Sequence, residues 1–181
     1  MGFVVSPVPS ARVGTISLRL ATPADAEQIQ SIYNHEVLHT AATFDLVPRT
    51  LDEQLAWQAQ RSGAFATIVA VDDAGEAPGE VVGFGALSPY KERAAYRTSV
   101  ENSVYVRRDR NGQGIGRQIL EELLAMAASS GFHAVFARIN SSGEASIALH
   151  ARCGFELVGV EREVGRKFNR WHDVTVMQRI L

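Results

Sequence analysis

The chain has a single cysteine, Cys153, among its 181 residues. One thiol excludes an intramolecular disulfide framework and any multi-thiolate zinc or iron–sulfur site, and it fits a reducing compartment such as the cytoplasm. An excess of charge of either sign is also lacking: 18 Lys and Arg stand against 20 Asp and Glu, a formal charge of −2. That balance draws the whole molecule neither to nucleic acid nor to anionic lipid. No apolar run approaches the roughly 20 residues that a bilayer-spanning helix needs, so no membrane partner is expected. Residues 1–15 carry two prolines and one charge, Arg12, without a basic start followed by a continuous apolar stretch. They read as a flexible arm, not a signal peptide. Met1-Gly2 with Ser6 matches the minimal myristoylation pattern, which is short enough to match by chance. Residues 16–181 are expected to form one domain, large enough to bury about two thirds of its unfolded surface.

What is present is regular punctuation. Ile16 to Leu20 alternates as a half-buried strand does. Thr22-Pro23-Ala24-Asp25 then offers an N-cap, a proline at the first helical position and an acidic first turn, which predicts a helix from Pro23 to Leu38. Thr50 and Glu53 make a capping box that opens a second helix, ending near Gly63. Ala66 to Val71 and Val81 to Leu87 read as a hairpin around a turn-rich segment. Thr98 to Val106 is a longer strand, with Val100, Asn102, Val104 and Val106 on one face and Ser99, Glu101, Ser103 and Tyr105 on the other. A glycine-rich turn leads into a helix whose apolar stripe is Ile115, Ile119, Leu120, Leu123, Leu124 and Ala127, closed by Gly131. A strand at His133 to Ile139, a short helix at Glu144 to Arg152, and strands near Glu156 to Val164 and His172 to Arg179 complete the chain. This order predicts a single α/β domain with a central mixed sheet covered by helices.

Chemistry is to be sought first at Arg107 to Arg117, between a strand and a helix N-terminus. Gly112, Gly114 and Gly116 stand at alternate positions, letting backbone N–H groups approach an anion where the helix dipole favours negative charge. Arg107, Arg108, Arg110 and Arg117 add positive charge, so a polyphosphate is the natural ligand; the alternative is a solvated basic turn. The dinucleotide fingerprint needs a third glycine where Arg117 stands, and the Walker loop needs Gly-Lys followed by Ser or Thr, which is absent.

The loop resembles instead the acetyl-CoA loop of the GCN5-related N-acetyltransferases (GNAT), Arg or Gln, two residues, Gly, one residue, Gly or Ala. Gly114 and Gly116 fill the small positions, and Asn111 stands where Arg or Gln is usual. The resemblance extends in order through Ile32-Tyr33-Asn34-His35-Glu36, Thr43-Phe44, the block from Tyr96 to Val106, Ser146-Ile147 with Leu149-His150, Gly154-Phe155-Glu156, Val164 to Phe168 and Arg170 to Val174. These stretches are similar to the phosphinothricin and methionine sulfoximine or sulfone acetyltransferase subgroup. The resemblance implies a single-domain α/β GNAT fold, with a central mixed, mostly antiparallel sheet flanked by about four helices.

It further implies transfer of the acetyl group of acetyl-CoA to the α-amino group of a small amino-acid-like substrate by direct attack. An amine with a pKa of about 8 is only about one tenth neutral at pH 7, so its proton must be removed. Glu101, on the strand before the glycine loop, is the candidate base. A backbone N–H among Val104, Tyr105 and Val106 is the candidate to polarise the thioester carbonyl. For protonating the departing thiol the resemblance points to the position of His150, with Tyr105 as the other candidate. The implied donor site takes in Val104, Tyr105, Val106, Arg110, Asn111, Gly112, Gln113, Gly114, Ile115, Gly116, Arg117, Gly143 and Ser146; Gly143 stands where the family commonly has asparagine. The implied acceptor site takes in Lys91, Glu92, Arg93, Glu101, Asn102 and Ser103, with Tyr33, Phe44 and Trp171 as walls. Either Lys91 or Arg93 is suited to a free carboxylate. The resemblance also implies a homodimer, for which the sequence alone shows no interface.

Three rivals remain. His35-Glu36-Val37-Leu38-His39 satisfies the His-Glu-x-x-His zinc signature, but the extended form requires glycine at Ala42 and histidine at Asp45. The five positions also overlap the acetyltransferase stretch, so no metal is expected. An acyl-CoA-binding sensor without turnover is motivated by Asn111 and Gly143, and retention of Glu101 argues against it. An N-acetyltransferase acting on protein N-termini or other amines is the third.

Overall fold

The computed structural model describes residues 16–74, 77 and 79–181, and the arm expected at residues 1–15 lies outside the described residues. In chain order the elements are β1 (Ile16–Leu20), α1 (Ala26–His39), α2 (Leu51–Ala59), β2 (Ile68–Asp72), β3 (Glu80–Pro89), β4 (Ser99–Val106), α3 (Ile115–Ser129), β5 (Ala134–Asn140), α4 (Glu144–Arg152), β6 (Glu156–Lys167) and β7 (Arg170–Ile180). The order matches the sequence expectation element for element. The seven strands form one sheet in the order β1-β2-β3-β4-β5-β7-β6. Every neighbouring pair is antiparallel except β4 and β5, which run parallel.

Strand alternation gives the sheet two apolar faces, each with its own helices. On one face Val82, Leu87, Val100, Val135 and Ala137 pack against the α3 stripe of Ile115, Ile119, Leu120, Leu123 and Leu124. On the other, Val69, Val71, Val81 and Phe84 pack against Ile29, Ile32, Tyr33 and Val37 of α1, with Trp57 of α2 beside them. Burying each such side chain stabilises the fold by roughly 1.5–3 kcal/mol before entropy is counted. The predicted capping box is in place: Glu53 N–H donates to Thr50 Oγ1 at 3.2 Å, and Thr50 N–H donates to the Glu53 carboxylate at 2.7 Å.

The boundaries differ at three places. α1 begins at Ala26 and not Pro23, because Pro23–Asp25 forms a separate 3-10 turn. α2 stops at Ala59, short of the expected Gly63, which has φ +56° and opens its own 3-10 turn. The last two strands are longer than expected and meet in a two-residue turn at Phe168 and Asn169, both with positive φ. Such a turn twists with its flanking strands, and so the hairpin continues through Gly165 instead of ending at it.

Candidate active site

The parallel pairing of β4 with β5 lasts only from Ser99 with Ala134 to Glu101 with Phe136. Beyond it β4 runs on through residues 102–106 beside β3, and β5 through 137–140 beside β7, so the two strands diverge into a cleft. Arg107 donates its N–H to Val82 of β3 at 2.9 Å. Alternation along β4 therefore turns the backbone groups of Val104 and Val106 toward the cleft. Polar backbone facing an open cleft is a ready partner for an extended polar ligand.

At the cleft's far end the glycine loop enters α3. Gly112 and Gly114 have φ +78° and +80°, the left-handed region, and Gly114 is the α3 N-cap. Among the described residues, the N–H groups of residues 112–116 (Gly112, Gln113, Gly114, Ile115, Gly116) have no protein acceptor. They and the helix dipole form an anion cradle. The arginines expected to add charge are otherwise engaged. Arg107 pairs with Glu80 and Asp109, Arg108 with Glu36, Arg110 with Asp72 at 2.8 Å, and Arg117 with Glu121 at 2.7 Å. The cradle is thus a backbone feature, and Arg110 and Arg117 serve the fold in this arrangement. Asn111 and Gln113 are exposed on the loop. Gly143 donates its N–H to the Asn140 carbonyl at 2.7 Å, closing the turn from β5 into α4, and Ser146 lies in the first turn of that helix.

Glu101 stands where the cleft opens. Its carboxylate has no hydrogen-bond or ion-pair partner among the described residues, and burial pushes its pKa up, with Arg138 opposing and Glu161 adding to the rise. Arg138 is itself held by Glu161 through two contacts, one of 2.8 Å. A half-buried, unpaired carboxylate of raised pKa is suited to accepting a proton near neutral pH. Ser103 and Tyr105 share its face. Tyr105 is edge-on to Tyr33 at 5.3 Å and stacked on Phe84 at 5.2 Å, and burial raises its phenol pKa well above the ordinary value. Tyr33 donates to Asp45 at 2.6 Å. Phe44 lies over Gly165, where a Cβ would come within 2.6 Å of its ring, and its centroid is 5.9 Å from that of His172. Lys167, buried beside it, donates to the Thr43 carbonyl at 2.8 Å. Trp171 is exposed on the same hairpin.

The Lys91, Glu92 and Arg93 segment is exposed and lines a shallow depression of about 480 Å³ with Tyr96. Lys91 Nζ lies 4.7 Å from the centroid of Tyr90 and 5.2 Å from that of Tyr96. Tyr90 stacks on Phe136 at 4.0 Å, and Phe136 is the register partner of Glu101. An aromatic stack thus connects the cationic segment to the carboxylate. Sequence reasoning misses Tyr90, Phe136 and Arg138; strand alternation in β5 is a signal for the last two, which share a face, and none marks Tyr90, just after β3.

Two residues stand elsewhere than expected. Asn102 is on the opposite face from Glu101, directed toward α4 and not toward an acceptor, because neighbouring strand residues point to opposite sides. His150, the expected acid, is 4% exposed, with Nδ1 2.8 Å from the Ser146 carbonyl and Nε2 3.0 Å from Asn102 Oδ1. Both ring nitrogens face protein oxygens, so the one N–H of the neutral ring is taken up inside the protein and not aimed at a thiolate. Burial lowers the ring's pKa, and the Ser146 carbonyl opposes that shift. The zinc signature is also divided. His35 and His39 are exposed, whereas Glu36 turns inward to Arg108 and Thr40. Among the described residues no group of three or more His, Cys, Asp or Glu is placed to hold a metal.

A splayed strand pair with free backbone groups beside a glycine cradle suits a long ligand that ends in phosphate, and comparison with known proteins gives the class: an acetyltransferase. The acetyltransferase (GNAT) domain model matches residues 18–176. The chain is 40% identical over 163 residues to an L-methionine sulfoximine/L-methionine sulfone acetyltransferase of Pseudomonas paraeruginosa, covering 90% of this chain and 92% of the relative. It is 38% identical over 168 residues to a phosphinothricin N-acetyltransferase of Streptomyces coelicolor, covering 92% and 96%. An acetyltransferase structure from Salmonella typhimurium with acetyl-CoA superposes with a TM-score of 0.87 at 36% identity, covering 92% of this chain and 94% of that one. The chain belongs to the GNAT family of N-acetyltransferases.

Proposed function

We propose that this enzyme transfers the acetyl group of acetyl-CoA to the α-amino group of a small amino-acid-like substrate of the phosphinothricin, methionine sulfoximine or methionine sulfone type. The observation that carries the reading is Glu101: an unpaired, half-buried carboxylate of raised pKa at the point where β4 and β5 part. Its role is to take the ammonium proton, directly or through water, a contribution of about 10²- to 10⁴-fold. The freed amine attacks the thioester carbon, the C–S bond breaks, coenzyme A leaves as thiolate, and the second proton, lost from nitrogen as the amide forms, passes through water to that thiolate. A thiol of pKa about 8.5 leaves without strong need of an acid, which fits the engagement of His150 elsewhere. The N–H groups of Val104 and Val106 on the cleft side polarise the thioester carbonyl, and the amides of residues 112–116 hold phosphate oxygens. Lys91 and Arg93 supply the charge for the acceptor's carboxylate.

Relatives acting on methionine sulfone, methionine sulfoximine and phosphinothricin support the acceptor class. A chain with a single, buried cysteine fits a reducing setting such as the cytoplasm. The exposed apolar edge strand β6 supports a homodimer. Thiol release from acetyl-CoA, measured with the three amino-acid analogues and with peptides bearing free N-termini, tests the reading. Release with at least one analogue is expected. Acetylation of peptide N-termini alone would overturn the acceptor class, and acetyl-CoA binding with no release for any amine would make the protein a sensor.

A further inference from the structure

The unpaired stretches of β4 and β5 open from one point, and on the α4 side of the sheet the buried amide of Asn102 stands there, opposite Glu101. Asn102 follows the last paired residue of β4 and is 6% exposed. Its Nδ2 donates at 2.9 Å to the carbonyl of Phe136, the last residue of β5 paired with β4. Its Oδ1 meets His150 Nε2 on α4. The His150 ring lies with Nδ1 2.8 Å from the Ser146 carbonyl one helical turn earlier and is held by an edge-on contact with Phe155 at 5.0 Å. One amide therefore joins β4, β5 and α4 at the apex of the cleft. A planar amide fixes the directions of both bonds, and leaving a buried amide unpaired costs about 1–3 kcal/mol.

We propose that Asn102 is a positioning residue: by holding the Phe136 carbonyl and His150 together it sets the opening of the β4–β5 cleft, and with it the seat of the pantetheine arm of acetyl-CoA. This rests on the proposed function in taking the cleft as the place of that arm. It assigns Asn102 to the donor side of the reaction and His150 to the same brace. The brace acts through the backbone of Val104 and Val106, which it keeps clear of β5.

The test uses the full chain and calorimetric titration with two probes. These are acetyl-CoA, and adenosine 3′,5′-bisphosphate, which needs the phosphate-binding loop but not the cleft. Asn102→Ala is expected to weaken acetyl-CoA about tenfold, equivalent to about 1.4 kcal/mol, while adenosine bisphosphate affinity and the acceptor KM stay within about twofold. His150→Ala should behave alike. His150→Gln, whose amide can still donate to Asn102, should retain most of the acetyl-CoA affinity. If Asn102→Ala fails to fold, Asn102→Asp, which gives no donor to Phe136, carries the same expectation. Unchanged acetyl-CoA affinity with a raised acceptor KM would overturn the proposal by making Asn102 an acceptor contact. Equal loss of both probes would overturn it as a general effect on the fold. A fall in kcat shared by His150→Gln and His150→Ala at unchanged affinity would overturn it by restoring His150 as the acid. Binding is measured without acceptor, so a wild type that acetylates none of the analogues contradicts the proposed function and leaves this test standing.

Discussion

At the scale of single residues, Glu101 combines two properties that cost stability and that its proposed role as base draws on. Burial raises its pKa, and Arg138, itself held by Glu161, opposes that rise without bonding to the carboxylate. For a carboxylate raised in the folded state, stability falls as pH climbs from the ordinary carboxylate range through the folded pKa. Glu101→Gln should therefore raise the melting temperature at pH 7 and leave it unchanged near pH 3, where the wild-type side chain is protonated in both states. Thermal melts at the two pH values check this, and a variant less stable than wild type at pH 7 would contradict it. The candidacy of Glu101 was legible in sequence from its strand position and the family resemblance, but its isolation from Arg138 was not. The bracing of His150 by Asn102 was not legible either. Alternation gives the face of a strand residue, and the partner here is 48 residues away.

Among the elements, order and type were readable because each carried its own local signal, the capping boxes and the α3 stripe above all. The β6–β7 hairpin runs past the Val164 and His172 expected as its inner ends, and within the added stretch Gly165 makes room for Phe44. The junction of β1 and α1 shows how a local motif is reinforced from outside itself. Asp25 accepts from Thr22 N–H and Oγ1, as a capping residue does, and also takes two bonds of 2.7 Å from Arg19 of β1. The Arg19 guanidinium, with the Thr22 bonds, lowers the Asp25 carboxyl to about 2. Its stabilising effect is present above the ordinary aspartate pKa and is lost as pH falls through about 2. Asp25→Asn should cost about 2 kcal/mol at neutral pH, shrinking below about pH 4. Denaturant unfolding across that range measures it, and a cost that is constant with pH would contradict the ion pair.

For the whole molecule, the near-zero net charge has a local counterpart. Each arginine of the glycine loop is balanced by an acidic residue, and three of those residues, Glu36, Asp72 and Glu80, come from α1, β2 and β3. Composition could not reveal this, since the Arg108 partner lies 72 residues away in sequence. The sheet ends in β6, an edge strand exposing Leu157, Val158, Val160 and Val164. An apolar edge of this kind invites pairing, and the proposed homodimer would close it by a two-fold arrangement of two copies. Sedimentation should give about 39 kDa, twice the 19.7 kDa chain, and Val160→Glu should shift it toward the monomer. A wild type monomeric at all micromolar concentrations would contradict the dimer. The most direct test of the account is the pH dependence of kcat/KM for methionine sulfone with acetyl-CoA, in wild type and Glu101→Gln. Wild type should show a one-proton rise at a pH above the ordinary carboxylate range, and Glu101→Gln should be slower by about 10²-fold or more with that rise absent and acetyl-CoA affinity retained. Equal rates and the same pH profile in both proteins would contradict Glu101 as the base.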